Sequence, residues 1–381
     1  MAHPIFKQVT IIGIGLIGGS LGLALCGRNL ARQVIGVDPD PENRRLAEER
    51  GAAHLLTDAA GEAVRGAELV VLATPVGSIP AVLAEITPHL RPGTVVTDVG
   101  SVKKAVVDRA AAAMPSGVFF VGGHPMAGSE RSGMAGADPY LFENAYYIIT
   151  PAPEVPEEAL QRVYALATGV GARVVRMNAE EHDRAVAAVS HLPHLTAAAL
   201  VNTLAALPAR EKFLPLAAGG FRDTTRVAAG NAAVWRDIFL TNRQAVLDVL
   251  AVFHRQVMLL EEAVAAEDMR TITALLEQAG RVRRSLPARA RGYLPPLFEL
   301  VVTVPDRPGM IAEVAGPPGR AGINIADIEI LRVREGEGGT IRLAFATENE
   351  RDQAAAILKQ NGIQVLTGQT GESTENGVIE L

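Results

Sequence analysis

Six short, nearly all-apolar runs punctuate the first 150 residues: VTIIGI (9–14), QVIGVD (33–38), LVVLAT (69–74), TVVTDV (94–99), VFFVGG (118–123) and YYIIT (146–150). Helix-like stretches fall between most of them. A strand with one wet face alternates apolar and polar residues; these do not, so both of their faces need cover. Alternation of such strands with helices predicts an α/β unit with a parallel sheet flanked by helices on both sides. One more helix–strand unit is expected near 157–176, after the Pro-rich boundary PAPEVPE at 151–157.

The pattern then changes twice. From about 179 to 285 the chain is dense in Ala and Leu and reads as almost entirely helical. Wide apolar helix faces need a partner, which suggests dimerisation through this segment. Its most apolar stretch, about 185–209, carries Ser190, His191, His194, Thr196 and Asn202 and is broken by Pro193, so it reads as a buried helix rather than a membrane span. A second boundary lies at SLPARARGYLPP (285–296). Beyond it come a strand (297–305), a helix (309–321), strands (323–334, 340–347), a helix (350–361) and a last strand (363–366). That βαββαβ order is the pattern of an α+β ferredoxin-like sandwich. The tail after Gly368 reads as disordered. The expected domains are 1–177, 178–290 and 297–368.

A chain of 381 residues is long enough for these units, and its net charge of −6 argues against general nucleic-acid binding. Cys26 is its one cysteine, so no internal disulfide forms and a reducing cytoplasm fits. The N-terminal residues show no signal-peptide pattern.

The first strand runs into Gly13-Ile14-Gly15-Leu16-Ile17-Gly18, then Gly19-Ser20 and an apolar helix. Asp38 ends the second strand, 20 residues after Gly18. A GxGxxG alone is weak, but between a strand and a helix, with that acid, it signals a dinucleotide site. The glycines let a pyrophosphate approach backbone N–H groups at the helix start. Asp38 would accept from ribose hydroxyls and repel a 2′-phosphate, which favours NAD over NADP. The alternative is a glycine-rich turn without a ligand. Arg44 and Arg45 read as the solvated face of the next helix. Thr74-Pro75 ends a later strand at the same carboxyl edge, where open α/β sheets bind ligands.

His124 follows another such strand, in GGHPMAGSERSG (122–133). Alone it would read as a surface-loop histidine; beside a dinucleotide site it is a candidate base. Ser101, after the preceding strand, is expected near His124, where its hydroxyl can fix the imidazole's tautomer. His191 and His194 share a helix side at i, i+3, a spacing that can suit a metal. Without an HExxH pattern, a polar cleft lining or a hydrogen-bonded core pair fits better. Arg222 and Arg226 share a helix face at i, i+4, and each offers a planar fork for a carboxylate. Arg226, with little other charge nearby, points to an anion site. Arg236 and Arg243 read equally as anion sites or as solvated salt-bridge partners.

GxGLIGGS, DVGSVK, GGHPMAGSERSG, SHLPH and FRDTTRVAAGNAAVWRDIFLTN, in this order and spacing, resemble the prephenate/arogenate dehydrogenases over about residues 8–285. The C-terminal segment resembles an ACT domain, by Asp306-Arg307-Pro308-Gly309-Met310 and Gly322-Ile323-Asn324-Ile325. The resemblance implies NAD-dependent oxidative decarboxylation of prephenate to 4-hydroxyphenylpyruvate in a homodimer. It makes His124 the catalytic histidine at the ring C4 hydroxyl. Ser101 becomes the group that positions that histidine, the substrate hydroxyl and the cofactor. Arg226 becomes the carboxylate ligand, and His191 and His194 line the substrate site. Glu130 takes a possible gating role, and Asp223 and Trp235 stand near the site and the dimer interface. Arg222 stands where some relatives have lysine. The ACT resemblance implies an amino-acid effector, tyrosine by end-product logic, with Asp306, Pro308, Gly309 and Asn324 as effector-site candidates.

Three alternatives remain. The substrate can be arogenate, or both compounds. A β-hydroxyacid dehydrogenase shares the N-terminal fold but relies on a lysine in the helical segment, and residues 179–207 contain none. A non-catalytic NAD- and amino-acid-sensing regulator is disfavoured by the joint presence of His124, Ser101 and Arg226.

Overall fold

Each of the six apolar runs contributes a strand, and their lack of alternation is explained by two cores. In the computed structural model, which describes residues 4–128, 131–208, 210–285, 298–305, 307–331 and 339–366, one sheet holds β1 (Phe6–Ile12), β2 (Ala31–Val37), β3 (Leu55–Thr57), β4 (Leu69–Leu72), β5 (Val95–Asp98), β6 (Phe119–Pro125), β7 (Tyr146–Pro151) and β8 (Arg173–Arg176). Val9, Ile11, Leu69, Val71, Val95 and Val121 pack into the core on one face. Ile12, Val70, Leu72, Val96 and Phe120 pack into the core on the other. Successive side chains of a strand point to opposite faces, so each neighbour pair must be apolar.

The strand order is β3-β2-β1-β4-β5-β6-β7-β8. The chain moves outward from β1 in both directions, leaving a crevice at the carboxyl ends of β1 and β4. The sheet departs from the all-parallel expectation at one junction. β6 and β7 pair antiparallel, with His124 opposite Ile148. Among the described residues joining them there is no crossover helix, only a short 3₁₀ turn at Met134–Gly136, so the chain re-enters from the edge it left.

The described chain divides into two compact units, Met1–Gly292 and Tyr293–Leu381. The first unit includes the helices from Ala179 to Ser285. Asn178 caps the first of them by accepting from Glu181 N–H at 2.7 Å. The run Ala179–Ala206 is long and apolar enough to cross a membrane by length and composition. Its N-terminal half instead carries buried His182, Asp183, His191 and His194, with Asp183 accepting from backbone N–H groups of the sheet unit. The expectation of a buried helix needs correction: only 28% of its apolar window is buried within one chain, because Leu200 and Val201 face outward. On the long helix Arg243–Ala265, Leu247, Phe253, Val257, Leu260 and Val264 are exposed as well.

In the second unit, β9 (Phe298–Val304), β10 (Asp327–Leu331), β11 (Gly339–Phe345) and β12 (Gln364–Leu366) form an antiparallel sheet in the order β10-β11-β9-β12. Helices Met310–Arg320 and Glu348–Gln360 complete the βαββαβ order. Val314 and Leu358, one from each helix, pack with Val302 and Leu343 of the sheet. The expected disordered tail lies outside the described residues.

Leu72 is fully buried at the β4 end of the crevice. Leu72→Ala is expected to lower unfolding stability by about 2–5 kcal/mol, the usual range for such a truncation. Denaturant titration of both proteins reads that shift, and an unchanged midpoint contradicts the packing described.

Candidate active site

Backbone geometry explains the glycine loop. Gly13 has φ of +96°, which L side chains rarely adopt, and a Cβ there would stand 2.6 Å from the Ala73 carbonyl oxygen. At Gly18 a Cβ would stand 1.9 Å from the Gly13 carbonyl oxygen. Gly15 differs: nothing lies within 4 Å of its Cβ position. Open space therefore faces the start of helix Leu16–Gly27, whose first N–H groups have no side-chain cap. Leu16 and Ile17 are half-buried there. An uncapped helix start facing open space suits a pyrophosphate. Thr74 borders the same crevice, with a buried hydroxyl that has no partner, and exposed Pro75 leads into the 3₁₀ turn Val76–Ser78.

Asp38 is buried just past β2. Its carboxylate accepts from Ile14 N–H at 2.8 Å and Asp40 N–H at 2.9 Å, with Asn43 Nδ2 at 3.4 Å. It thus ties the glycine loop to β2 and keeps limited acceptor capacity for a ribose. Arg45 is exposed and pairs with Glu42 and Glu49. Arg44 is not on a purely solvated face, because its guanidinium folds back onto the Asp38 carbonyl.

Next along the edge, a buried ion pair fixes two loops. Lys103 Nζ pairs with Asp98, and both side chains are fully buried. Lys103 Nζ also donates to the Gly123 carbonyl at 2.7 Å. Asp98 accepts from Gly100 N–H at 2.9 Å and Gly123 N–H at 3.2 Å. The residues just before Ser101 and His124 are therefore anchored to one carboxylate. Burial pushes the Lys103 ammonium below its ordinary value, against the pull of Asp98.

His124 is buried within β6. Its Nδ1 lies 2.7 Å from Nε2 of His182. Nδ1 of His182 lies 2.8 Å from Asp183 Oδ1. Asp183 in turn accepts from Lys103 N–H at 2.7 Å and Lys104 N–H at 2.9 Å. Ser101 is half-buried beside this edge, but no hydrogen bond joins it to His124. The group within hydrogen-bond distance of the His124 ring is therefore His182. Burial holds His124 well below its ordinary value, helped by His182, Lys103 and His191, so the ring is neutral.

A second cluster comes from the helices. The helix widens into a π turn at Ala187–His191 just before Pro193, which has no N–H for a regular turn. His194 stacks on Trp235 with ring centroids 3.6 Å apart, and His191 meets the same ring edge-on at 6.1 Å. Gly230 makes room for this stack, since a Cβ would stand 2.9 Å from Trp235 Nε1. His191 Nδ1 lies 3.3 Å from Asn242 Nδ2. His191 Nε2 and His194 Nδ1 are buried without a partner. Arg226 starts the 3₁₀ turn Arg226–Ala229, which packs against helix Leu192–Ala206. It is exposed and held by a contact of its own.

Three family models match: the prephenate dehydrogenase nucleotide-binding domain over residues 21–176, its dimerization domain over 178–278 and an ACT domain over 298–363. A prephenate dehydrogenase of Bacillus subtilis (strain 168) is 37% identical, covering 92% of this chain and 95% of its own length. The chain belongs to the prephenate dehydrogenase family. A solved prephenate dehydrogenase from A. aeolicus, in complex with hydroxyphenyl propionate and NAD+, is 30% identical with a TM-score of 0.70, covering 74% of this chain and 98% of its own. A Synechocystis arogenate dehydrogenase is 31% identical with a TM-score of 0.65, covering 74% and 100%.

For a prephenate dehydrogenase family member, the residues read from sequence divide into groups. The glycine loop, Asp38 and Thr74 border one crevice, and His191, His194 and Trp235 pack together. Arg222 is exposed on helix Gly219–Thr225 and donates to the Ala217 carbonyl, and Asp223 beside it is exposed. Arg236 pairs with neighbouring Asp237. Glu130 and Asp306 lie outside the described residues. In the C-terminal unit Pro308 and Gly309, with Val304, Arg307, Ile330 and Ile341, line a cleft of about 750 Å³, whereas exposed Asn324 is not in its lining. Among the described residues no group of three His, Cys, Asp or Glu side chains could hold a metal. Sequence reasoning missed His182, Asp183, Lys103 and Asn242. His182 and Asp183 sit among Glu180, Glu181 and Arg184 at the charged head of a run that turns apolar only later, so no sequence signal singles them out.

Burial holds His191 at about 4, against the pull of Asp183. An unfolded chain protonates its imidazoles below about pH 6.5, whereas buried His124 and His191 stay neutral. The unfolded state then binds more protons, so stability is full above about pH 6.5 and is lost as pH falls toward 4. Melting temperature should fall over that window, with a shallower slope in His191→Asn. An equal slope in both proteins contradicts the neutral burial of His191.

Proposed function

We propose that this enzyme carries out the NAD-dependent oxidative decarboxylation of prephenate to 4-hydroxyphenylpyruvate. The observation that carries the reading is neutral, buried His124 on the carboxyl edge of the sheet that bears the glycine loop. A base must be unprotonated before it can accept a proton. NAD, when bound in the crevice of Gly13, Gly15 and Gly18, supplies the acceptor for the hydride leaving C4. Asp38 beside the loop favours the unphosphorylated ribose. Aromatisation drives the loss of carbon dioxide, so the protein's task is alignment and proton handling.

Prephenate is a dianion, and a chain with net charge −6 must offer it positive charge locally. Arg226 supplies a guanidinium for one carboxylate. Neutral His191 and His194 offer unpartnered nitrogens that hydrogen-bond without adding charge. Ser101, on the loop anchored by Asp98, serves the substrate hydroxyl and the cofactor rather than the imidazole. The exposed apolar face of helix Arg243–Ala265 pairs with a second copy, in keeping with the match to a dimerization domain. Tyrosine inhibits through the cleft of the ACT unit, whose apolar lining and Arg307 suit an aromatic amino acid.

Initial rates of NADH formation test the whole reading, with prephenate against arogenate, NAD against NADP, and tyrosine present or absent. Prephenate with NAD should give the highest rate, lowered by tyrosine. No turnover of either substrate overturns the proposal, and a clear preference for arogenate reassigns the substrate.

Two variants test the roles. His124→Asn should lower kcat about 10²–10⁴-fold with little change in NAD binding; an unchanged kcat contradicts its role. Arg226→Ala should mainly raise KM for prephenate, as loss of uniform binding does, and an unchanged KM removes Arg226 from the site.

A further inference from the structure

The chain Asp183–His182–His124 has a direction that follows from its chemistry. Asp183 is already an acceptor for Lys103 N–H and Lys104 N–H, so as a carboxylate it accepts from His182 Nδ1–H. In the form of His182 that carries a single proton, on Nδ1, Nε2 is a lone pair, 2.7 Å from His124 Nδ1. His124 must then carry its proton on Nδ1, and its Nε2 is left as the lone pair. No described residue partners that nitrogen.

We infer that His182 and Asp183 are positioning residues that set His124 in the tautomer with Nε2 as the base and form a closed store for the substrate's proton. The inference rests on the proposed reaction, whose atoms balance as follows. The C4 O–H bond breaks and an Nε2–H bond forms on His124, while hydride leaves C4 for the bound cofactor. The His124 Nδ1–H bond breaks and an Nε2–H bond forms on His182, placing the positive charge beside Asp183. The bond from C1 to the departing carboxylate then breaks, and its electron pair enters the ring and reaches the C4 oxygen. That oxygen takes a proton back by the reverse path. Prephenate and NAD+ give hydroxyphenylpyruvate, carbon dioxide and NADH with no proton left over. A base in this reaction needs a place to lend a proton from, not a channel to water, and His182 is fully buried. The other charged or titratable groups facing His124 are Lys103, which is paired with Asp98, and His191, whose Nδ1 lies against Asn242.

Nitrogen NMR of the ¹⁵N-histidine-labelled, substrate-free enzyme tests the tautomer without any turnover. His124 should show Nδ1 protonated and Nε2 bare in the wild type, and lose that preference in His182→Leu. Steady-state kinetics test the store. His182→Leu should lower kcat on the order of 10²-fold or more, as losing a positioned acid–base partner does, with KM for NAD unchanged. His182→Gln keeps an acceptor for Nδ1–H but cannot hold the proton, so it should restore the tautomer and only part of kcat. A wild-type His124 protonated on Nε2, or wild-type kcat in His182→Leu, overturns the inference. If wild-type enzyme turns over no prephenate while the Nδ1–H tautomer is observed, the proposed reaction fails and the tautomer assignment stands.

Discussion

The Asp183 carboxylate is the constraint on which the site depends. It sits on a helix, yet it accepts from two backbone N–H groups at the start of the helix after β5 and from the side chain of His182. One anion therefore docks the helical segment on the sheet and orients the imidazole that holds His124. A helix N-terminus favours an anion there. Asn242 adds a tether from the long helix side, donating to the Asp183 carbonyl at 2.8 Å. Displacing this residue would separate the base from its support before it disturbed the nucleotide loop.

Charge in the site is rationed. Lys103 and Asp98 neutralise each other in full burial and use their remaining hydrogen bonds on the backbone of Gly100 and Gly123. Such a pair is weak evidence for stability, because desolvation offsets its attraction; here its consequence is the placement of two loops. Burial pushes His124, His191 and His194 below their ordinary values. On the proposed reading, a dianionic substrate meets directional hydrogen-bond partners, and Arg226 supplies positive charge from the exposed side.

Local pattern made part of this legible. The apolar strands, the glycine loop with Asp38, and the position of His124 follow from periodicity and from where ligands bind in open α/β sheets. The family resemblance supplied the substrate and the roles of Arg226, His191 and His194. What stayed hidden depends on contacts between residues far apart in the chain. His182 lies 58 residues from His124, and nothing in its neighbourhood announces the pairing. Lys103 reads as an ordinary charged residue before a helix until Asp98 and Gly123 enclose it. The antiparallel entry of β7 depends on a connection with no crossover helix among its described residues, and the π turn at His191 on the helix's response to Pro193.

The most direct measurement is the pH dependence of kcat with prephenate and NAD. A base held neutral by burial loses activity only well below the ordinary imidazole value of about 6.5. The account predicts a rate that is still near its plateau at pH ~6 and declines at more acid values. A rate that falls with an apparent pKa at or above about 6.5 would contradict it, because the essential base would then be an ordinary, solvated imidazole.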